Sequence, residues 1–469
     1  MDKLFTHHNL HQILFLNDLL LAPVFILIIY LLAKKHVASK KSVLYEKYFI
    51  MALMLRLASA IVMALVYQYY YNGGDTFTYF SFAQAMREVF NADKSAFFKI
   101  AFDLKDNAFL AVYYLGEDSA FFFNPSSNLT IWITVFFSYL FFNTYILISF
   151  AFSIFCFYGC WKIFMLFCNI YPHLAKEFAI ACLFLPSVCF WGTGILKDPI
   201  CLGALGALTY HIYKLFFEKT KVFKRILVII FFFLLLKVIK VYIILSFMPA
   251  YSFWIIFRYK DTIKSQFIKS LMSPFLFIIS ATIGLFVFIK IAQYSERYAF
   301  DNLARTAKDT QNWIFLSSQV QEGSGYSLLV VSYTPMGMLK VFPKAVNVAL
   351  FRPYLWEARK PILIPAALEG LISLFFTMRL LYKCGFIRFT KLIIGNPEVQ
   401  FCLIFSIIFA FSVGFTSYNF GSLVRYKIPL MPFYYIALFI LADKEKTPDI
   451  KIKKKPLQTK PVIAKPLPL

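Results

Sequence analysis

The sequence predicts an all-α, polytopic transmembrane helical bundle, and three observations carry that prediction. Hydrophobic residues make up 60% of the chain and charged residues only 15%. Several apolar runs approach or exceed the roughly 20 residues that cross a bilayer as a helix. The roughly 10-residue alternating segments of a membrane β-barrel are missing, and a barrel is the other way to satisfy backbone groups in lipid. Basic residues gather in short loops beside the apolar runs and in the tail, which is the positive-inside pattern. That distribution accounts for the net charge of +24. It points to membrane lipids as partners and away from nucleic acid.

The elements follow from the same reasoning. A first span over 14–33 is followed by Lys34, Lys35, Lys40, Lys41 and Lys47. That loop reads as cytoplasmic, so the amino terminus lies outside. A second span covers 48–69. A large outer loop, about 71–128, follows, with one helix expected from Thr76 to Phe90. A second, around Phe97–Leu104, would lie at the interface. The run 129–168 reads as an interfacial helix leading into one span, because no charged loop divides it.

A fourth span leads outward to a Gly192–Asp198 tip, and a fifth returns to Lys214, Lys219, Lys221, Lys224 and Arg225. The stretch 226–257 is flanked by cytoplasmic-looking loops at both ends. It therefore reads as two short helices with Lys237 and Lys240 near an outer turn, an arrangement tolerated where it lines a polar cavity. Further spans are expected at 271–292, 361–381, 399–417 and up to 442. A second large outer loop covers about 293–360. The count is about eleven crossings, on the positive-inside pattern. Residues 1–442 form the membrane domain, and 443–469 read as a disordered, basic, cytoplasmic tail.

The stretch from Leu185 to Pro199 organises the chain. An apolar helix breaks at Gly192 and Gly194, presents Lys197 and Asp198, and restarts after them. Charges beside a broken membrane helix point to a functional site. The plainer alternative is a tight turn whose Lys and Asp meet water. Other polar clusters fall on the same expected side: Asp75, Lys237 and Lys240, Glu296-Arg297, Arg352 with Trp356 and Glu357, and Arg425 with Lys427. Cations there run against the positive-inside bias. An anionic ligand explains them, since guanidinium and ammonium groups pair well with phosphate. Lipid head groups are the alternative partner.

Asp75 is the leading candidate for a catalytic carboxylate, a general base on a hydroxyl. The competing role is N-cap of the Thr76 helix. Glu357 is the second carboxylate, or a salt-bridged interface residue. All eight cysteines lie in or beside apolar helices and none forms a CxxC pair, so they read as packing residues. No zinc, Walker or dinucleotide-binding pattern is present, so neither metal nor cofactor is expected. Nor is there a cleavable-signal pattern.

The loop Gly73-Gly74-Asp75-Thr76-Phe77-Thr78-Tyr79 resembles the first outer loop of membrane-embedded C-type glycosyltransferases. The stretch from Pro186, Ser187, Phe190 and Trp191 to Gly194, Lys197 and Asp198 resembles a segment of bacterial polytopic glycosyltransferases and polysaccharide polymerases. The segment Arg425-Tyr426-Lys427-Ile428-Pro429 through Pro432 resembles their last outer loop and helix. Wzy-type polymerases, which also use arginines in large outer loops, are the rival family. The resemblance implies a polyprenyl-phosphate- or polyprenyl-diphosphate-linked sugar as substrate. It makes Asp75 the catalytic carboxylate, with Lys and Arg side chains on the phosphates. Other polysaccharide-assembly proteins would be partners. A transporter or flippase of a lipid-linked or anionic solute is the first alternative, and a non-enzymatic membrane scaffold the second.

Overall fold

The computed structural model describes residues 12–260 apart from 105 and 116–118, then 325–328 and 334–446, and the isolated positions 282, 286, 308, 309, 312 and 316. The expected span at 271–292, the Glu296-Arg297 pair and most of the basic tail lie outside the described residues. Among the described residues the chain is helical, without strands. A single bridge joins Gly325 to Asn419.

Helix α1 (Leu16–Lys40) stands at the periphery, with Leu16, Leu19, Leu27 and Leu31 exposed. Its buried Asp18 accepts the backbone N–H of Ile146 at 2.8 Å. That bond satisfies one of the donors every helix start leaves open. α2 (Ile50–Val66) is extended at both ends by π-helical turns. Four helices follow in the first large loop: α3 (Asp75–Ala92), α4 (Lys94–Phe102), α5 (Ala108–Leu115) and α6 (Ser119–Phe123). The expected helix after Thr76 is therefore present. The run after 129 divides as expected into α7 (Pro125–Leu140) and the membrane-length α8 (Tyr145–Ile170).

The next expected span is broken rather than continuous. It comprises α9 (Ala175–Ala179), a π turn, an extended residue at Leu185 and α10 (Pro186–Trp191). α11 (Lys197–Tyr213) follows and makes its largest contact with α8. Gly159, Gly203 and Gly206 make that contact possible. A Cβ on Gly159 would run into the backbone of Gly203, and one on Gly206 into the carbonyl of Gly159. Small residues of this kind let membrane helices approach closely.

α12 (Val222–Lys260) has 39 residues, roughly twice what a ~30 Å hydrocarbon core needs. It is broken at Lys240, where φ is −148° and ψ 79°. Val222 starts just after Glu218, past the end of α11. Lys240 reaches Asp198 in the first turn of α11, and Arg258 returns to Tyr213 in its last turn. The two halves therefore run antiparallel, as the charge pattern anticipated.

The remaining helices are α13 (Pro335–Phe351), α14 (Ile364–Ile394), α15 (Pro397–Thr416), α16 (Phe420–Tyr426) and α17 (Met431–Lys446). α13 lies within the region read as the second large outer loop, and it packs against the bundle. Its Ala345, Val348 and Ala349 are buried, and the carbonyls of Ala345 and Phe351 lie against Gly414 of α15 and Gly370 of α14. α17 runs four residues past the predicted end at 442. α16 and α17 form one element bent by 67°.

Seven helices among the described residues are long and apolar enough to cross a membrane, or eight with the bent pair taken as one span. This chain is a multi-pass membrane protein by that measure. At one end of the bundle Arg258 pairs with Glu398, which also accepts from the Tyr171 hydroxyl at 3.2 Å. Asp75, Asp198 and Arg425 lie at the other end.

Replacing Gly206 by Leu should separate α8 from α11 and cost about 1–3 kcal/mol or more by overpacking. The check is the thermal unfolding midpoint of purified protein. It should fall, while Leu31→Met on the exposed side of α1 should leave it unchanged.

Candidate functional site

The site is built at the Asp75 end from three breaks in helical structure. The first is the turn between α2 and α3. Asn72, Gly73 and Gly74 have φ of 50°, 144° and 106°. Glycine adopts such values without the strain other residues meet. A Cβ on Gly74 would also come within 3.2 Å of the Tyr67 ring. The turn delivers Asp75 as the first residue of α3, with Gly74 as the N-cap. The Asp75 carboxylate does not cap the helix. It accepts from Arg425 Nη2 at 2.9 Å and stays 44% exposed.

The second break is the Pro186–Asp198 stretch. Gly194 has φ of +77° and Leu196 is extended. Thr193, Ile195 and Leu196 are buried, and the Asp198 side chain is only 1% exposed. The alternative of a turn meeting water thus fails for Asp198. The third break, at Lys240, places that amine 2.5 Å from Asp198 Oδ1. Arg425 Nη2 donates to Asp198 Oδ2 at 3.2 Å. A continuous chain of ion pairs results, from Lys240 through Asp198 and Arg425 to Asp75. It deepens from a half-exposed carboxylate into the bundle. Trp191 lies 5.7 Å from the Arg425 guanidinium, and the Tyr426 ring lies 4.7 Å from the Lys240 amine. Aromatic faces attract cations at such distances.

Lys197 sits beside this chain. Its amine donates to Ser126 Oγ at 2.7 Å and Ser127 Oγ at 3.0 Å, in the first turn of α7. The Tyr79 and Phe121 rings lie about 6 Å from it. Burial, reinforced by the Asp75 charge, pushes the Tyr79 phenol well above its ordinary value, so it remains a donor. Three cations therefore face two carboxylates, leaving one net positive charge beside the half-exposed Asp75. That is the electrostatic requirement for an anion to enter.

Four sequence-predicted residues lie elsewhere. Arg352 and Glu357 pair with each other, with Arg352 Nε donating to Glu357 Oε2 at 2.9 Å. The Arg352 guanidinium lies over Phe420, at the opposite end of α16 from Arg425. The salt-bridge alternative for Glu357 is the one its contacts support. Lys427 is buried and donates to the Arg352 carbonyl at 3.2 Å, tying that corner to the α16–α17 bend. Lys237 is half-buried, three residues before the Lys240 break.

Sequence reasoning missed Ser126, Ser127, Arg56 and Glu369. Arg56, in the middle of α2, is fully buried. It donates to the Val188 carbonyl and to Cys160 Sγ at 3.3 Å. Glu369 of α14 accepts from the Ser187 N–H at 3.0 Å and its hydroxyl at 2.6 Å. Glu369 thus satisfies the Ser187 N–H that the interruption at Leu185 leaves open, while Arg56 adds a second bond to the Val188 carbonyl, which also accepts from the Gly192 N–H at 3.1 Å. A charge inside an apolar run was the available signal. The two serines gave none, because their role depends on Lys197, 70 residues away. Among the described residues no three His, Cys, Asp or Glu side chains gather as a metal-ligand set.

Removing one member of a buried pair typically costs about 3–5 kcal/mol. Asp198→Ala should therefore lower the unfolding midpoint strongly, and Asp198→Leu combined with Lys240→Met should recover much of the loss. Equal loss in both variants would show that the loss does not come from leaving Lys240 unpaired. A second test concerns Glu357. Burial raises this carboxyl, but hydrogen bonds from Arg352 and the Tyr354 N–H outweigh it and hold it below its usual value. A depressed carboxylate stabilises above its unfolded value and stops doing so as pH falls through the folded one. Amide protection over 352–360, taken relative to the intrinsic exchange rate at each pH, should be high at pH 7 and fall below about pH 4. Glu357→Gln should abolish that dependence.

No family model matches the chain, and no curated protein or solved structure is similar to it.

Proposed function

We propose that this protein is a glycosyltransferase or polysaccharide polymerase of the bacterial inner membrane, acting in surface-polysaccharide assembly. It takes a polyprenyl-phosphate- or polyprenyl-diphosphate-linked sugar on the extracytoplasmic face. The chain crosses the membrane about eleven times on the positive-inside pattern, with its amino terminus outside and its carboxyl terminus in the cytoplasm. The observation that carries the reading is a half-exposed carboxylate, Asp75, bonded to a buried cation, Arg425, with Lys197 and Lys240 alongside.

The roles follow from that grouping. Asp75 takes the proton of the acceptor hydroxyl. The hydroxyl oxygen bonds to the anomeric carbon, and the bond from that carbon to the phosphate oxygen breaks. The leaving phosphate or diphosphate carries the negative charge away, held by Arg425 and Lys197. Stabilising such charge in a dry site is a large electrostatic term. Arg425 is shared between Asp75 and Asp198. An arriving phosphate can therefore draw it from Asp75 and free the base without leaving Asp198 unpaired, since Lys240 stays on it. Arg352 and Glu357 are set apart from this chemistry and fit a supporting role.

A second reading, transport of a lipid-linked or anionic solute, draws on Arg56 and Glu369. They are buried charges flanking a broken helix in the bundle interior, where transporters place their sites.

The test is a gel of surface polysaccharide from cells lacking the protein and from cells carrying Asp75→Asn. Product should vanish in both, with the variant present at normal level. Truncation to a single repeat identifies a polymerase, and a uniform change in composition identifies a transferase. Normal product from Asp75→Asn would remove Asp75 from the mechanism and favour transport.

A further inference from the structure

The other end of the bundle carries a feature that sugar transfer does not use. Between the halves of α12 and the last turns of α11 lies a cavity of about 240 Å³. Its walls include Ile212, Phe216, Ile229, Met248, Tyr251 and Ile255. The Tyr251 hydroxyl is committed to the Thr209 carbonyl at 3.0 Å, and the Ser252 hydroxyl to the Met248 carbonyl at 2.9 Å. Each hydroxyl keeps only acceptor capacity and the rest of the lining is apolar, so the space offers water few of the two to four polar partners it needs. The space exceeds the roughly 150 Å³ apolar cavity known to take up benzene. Such a lining suits an apolar occupant. Ile226, Leu227, Ile230 and Phe231, on the same half-helix as Ile229, are exposed, so the cavity lies at the bundle's outer surface.

The mouth is basic. The link from α11 to α12 carries Lys219 and Lys221, and the first turn of α12 carries Lys224, all exposed, and Arg225, which reaches back to donate to Thr220 Oγ at 2.7 Å. Lys162 and Lys214 lie over the Tyr210 ring at 4.9 and 5.5 Å. Glu218 is the one acid between 214 and 225, and Lys214 neutralises it. An apolar slot beside an excess of cations at a membrane boundary matches one ligand chemistry, an acyl chain under an anionic head group.

We infer that this cavity and turn bind one anionic phospholipid, its chain between the halves of α12 and its phosphate on the basic turn. Asp198 is at the far end of α11, so the site is separate from the Asp75 cluster and does not depend on the reaction proposed there. Bound lipid would brace the two halves of α12 and so hold Lys240 at the break.

The experiment is native mass spectrometry of the full chain in detergent, with dioleoyl-phosphatidylglycerol or dioleoyl-phosphatidylcholine added. The wild type should retain a single phosphatidylglycerol at least about tenfold better than phosphatidylcholine. Changing Lys219, Lys221, Lys224 and Arg225 together to Gln should erase that preference. These residues lie on a surface turn, so the variant tests the charge without disturbing the core. Ile229→Trp, checked for an unchanged unfolding midpoint, should reduce retention of both lipids by filling the slot. Glycerol phosphate at equal concentration should not displace the lipid. Equal retention of the two lipids by the wild type would overturn the inference. So would phosphatidylglycerol binding unchanged in the charge variant, or its displacement by glycerol phosphate.

Discussion

The Asp198 carboxylate is the constraint on which the rest of this structure depends. It is almost wholly buried and accepts from both Lys240 and Arg425. A carboxylate at that depth is costly unless paired and fully hydrogen-bonded. Meeting the requirement fixes the relative positions of three elements. α11 must begin there, α12 must break there, and α16 must end there. Because Arg425 then extends a bond to Asp75, the first residue of α3 is drawn to the same point. One buried charge thereby registers four segments that lie far apart along the chain.

The same logic explains why helices are interrupted where they are. A broken helix in lipid leaves backbone donors and acceptors that water cannot reach. At Leu185 the open Ser187 N–H is taken up by Glu369, reaching in from α14. At Lys240 the break brings the amine onto the Asp198 carboxylate. At Gly73 and Gly74 the chain sits closer to the bundle's end, and conformational freedom with a Tyr67 contact suffices. The interruptions are thus the places where polar chemistry is allowed into an otherwise apolar bundle. A phosphate-bearing substrate would find its counter-charges there.

The two ends of α11 carry different electrostatics. At the Asp198 end, cations and carboxylates are interleaved and mostly buried, which suits selective recognition of a charged group. At the Glu218 end, cations are exposed and little opposed, which suits a membrane surface. The hairpin of α12 joins the two, since its break belongs to one end and its termini to the other.

Much of this was legible in the sequence. Apolar run lengths determined the helical membrane class, and charges at both flanks of 226–257 required it to turn back. The Gly-Gly-Asp loop, the Lys197-Asp198 break and Arg425 each stood out as polar departures from apolar runs. Their convergence did not follow from periodicity, which reports only which face of a helix is apolar. Pairing among Asp75, Asp198, Lys240 and Arg425 is decided by long-range packing of α3, α11, α12 and α16. For the same reason Arg352 looked equivalent to Arg425 in sequence, yet the fold committed it to Glu357. Ser126 and Ser127 were ordinary helix-start residues until Lys197 met them. Composition and charge pattern thus determined the membrane class and the candidate charges. Only the tertiary structure decided which of those charges share one low-dielectric site, because that depends on how helices distant in sequence pack.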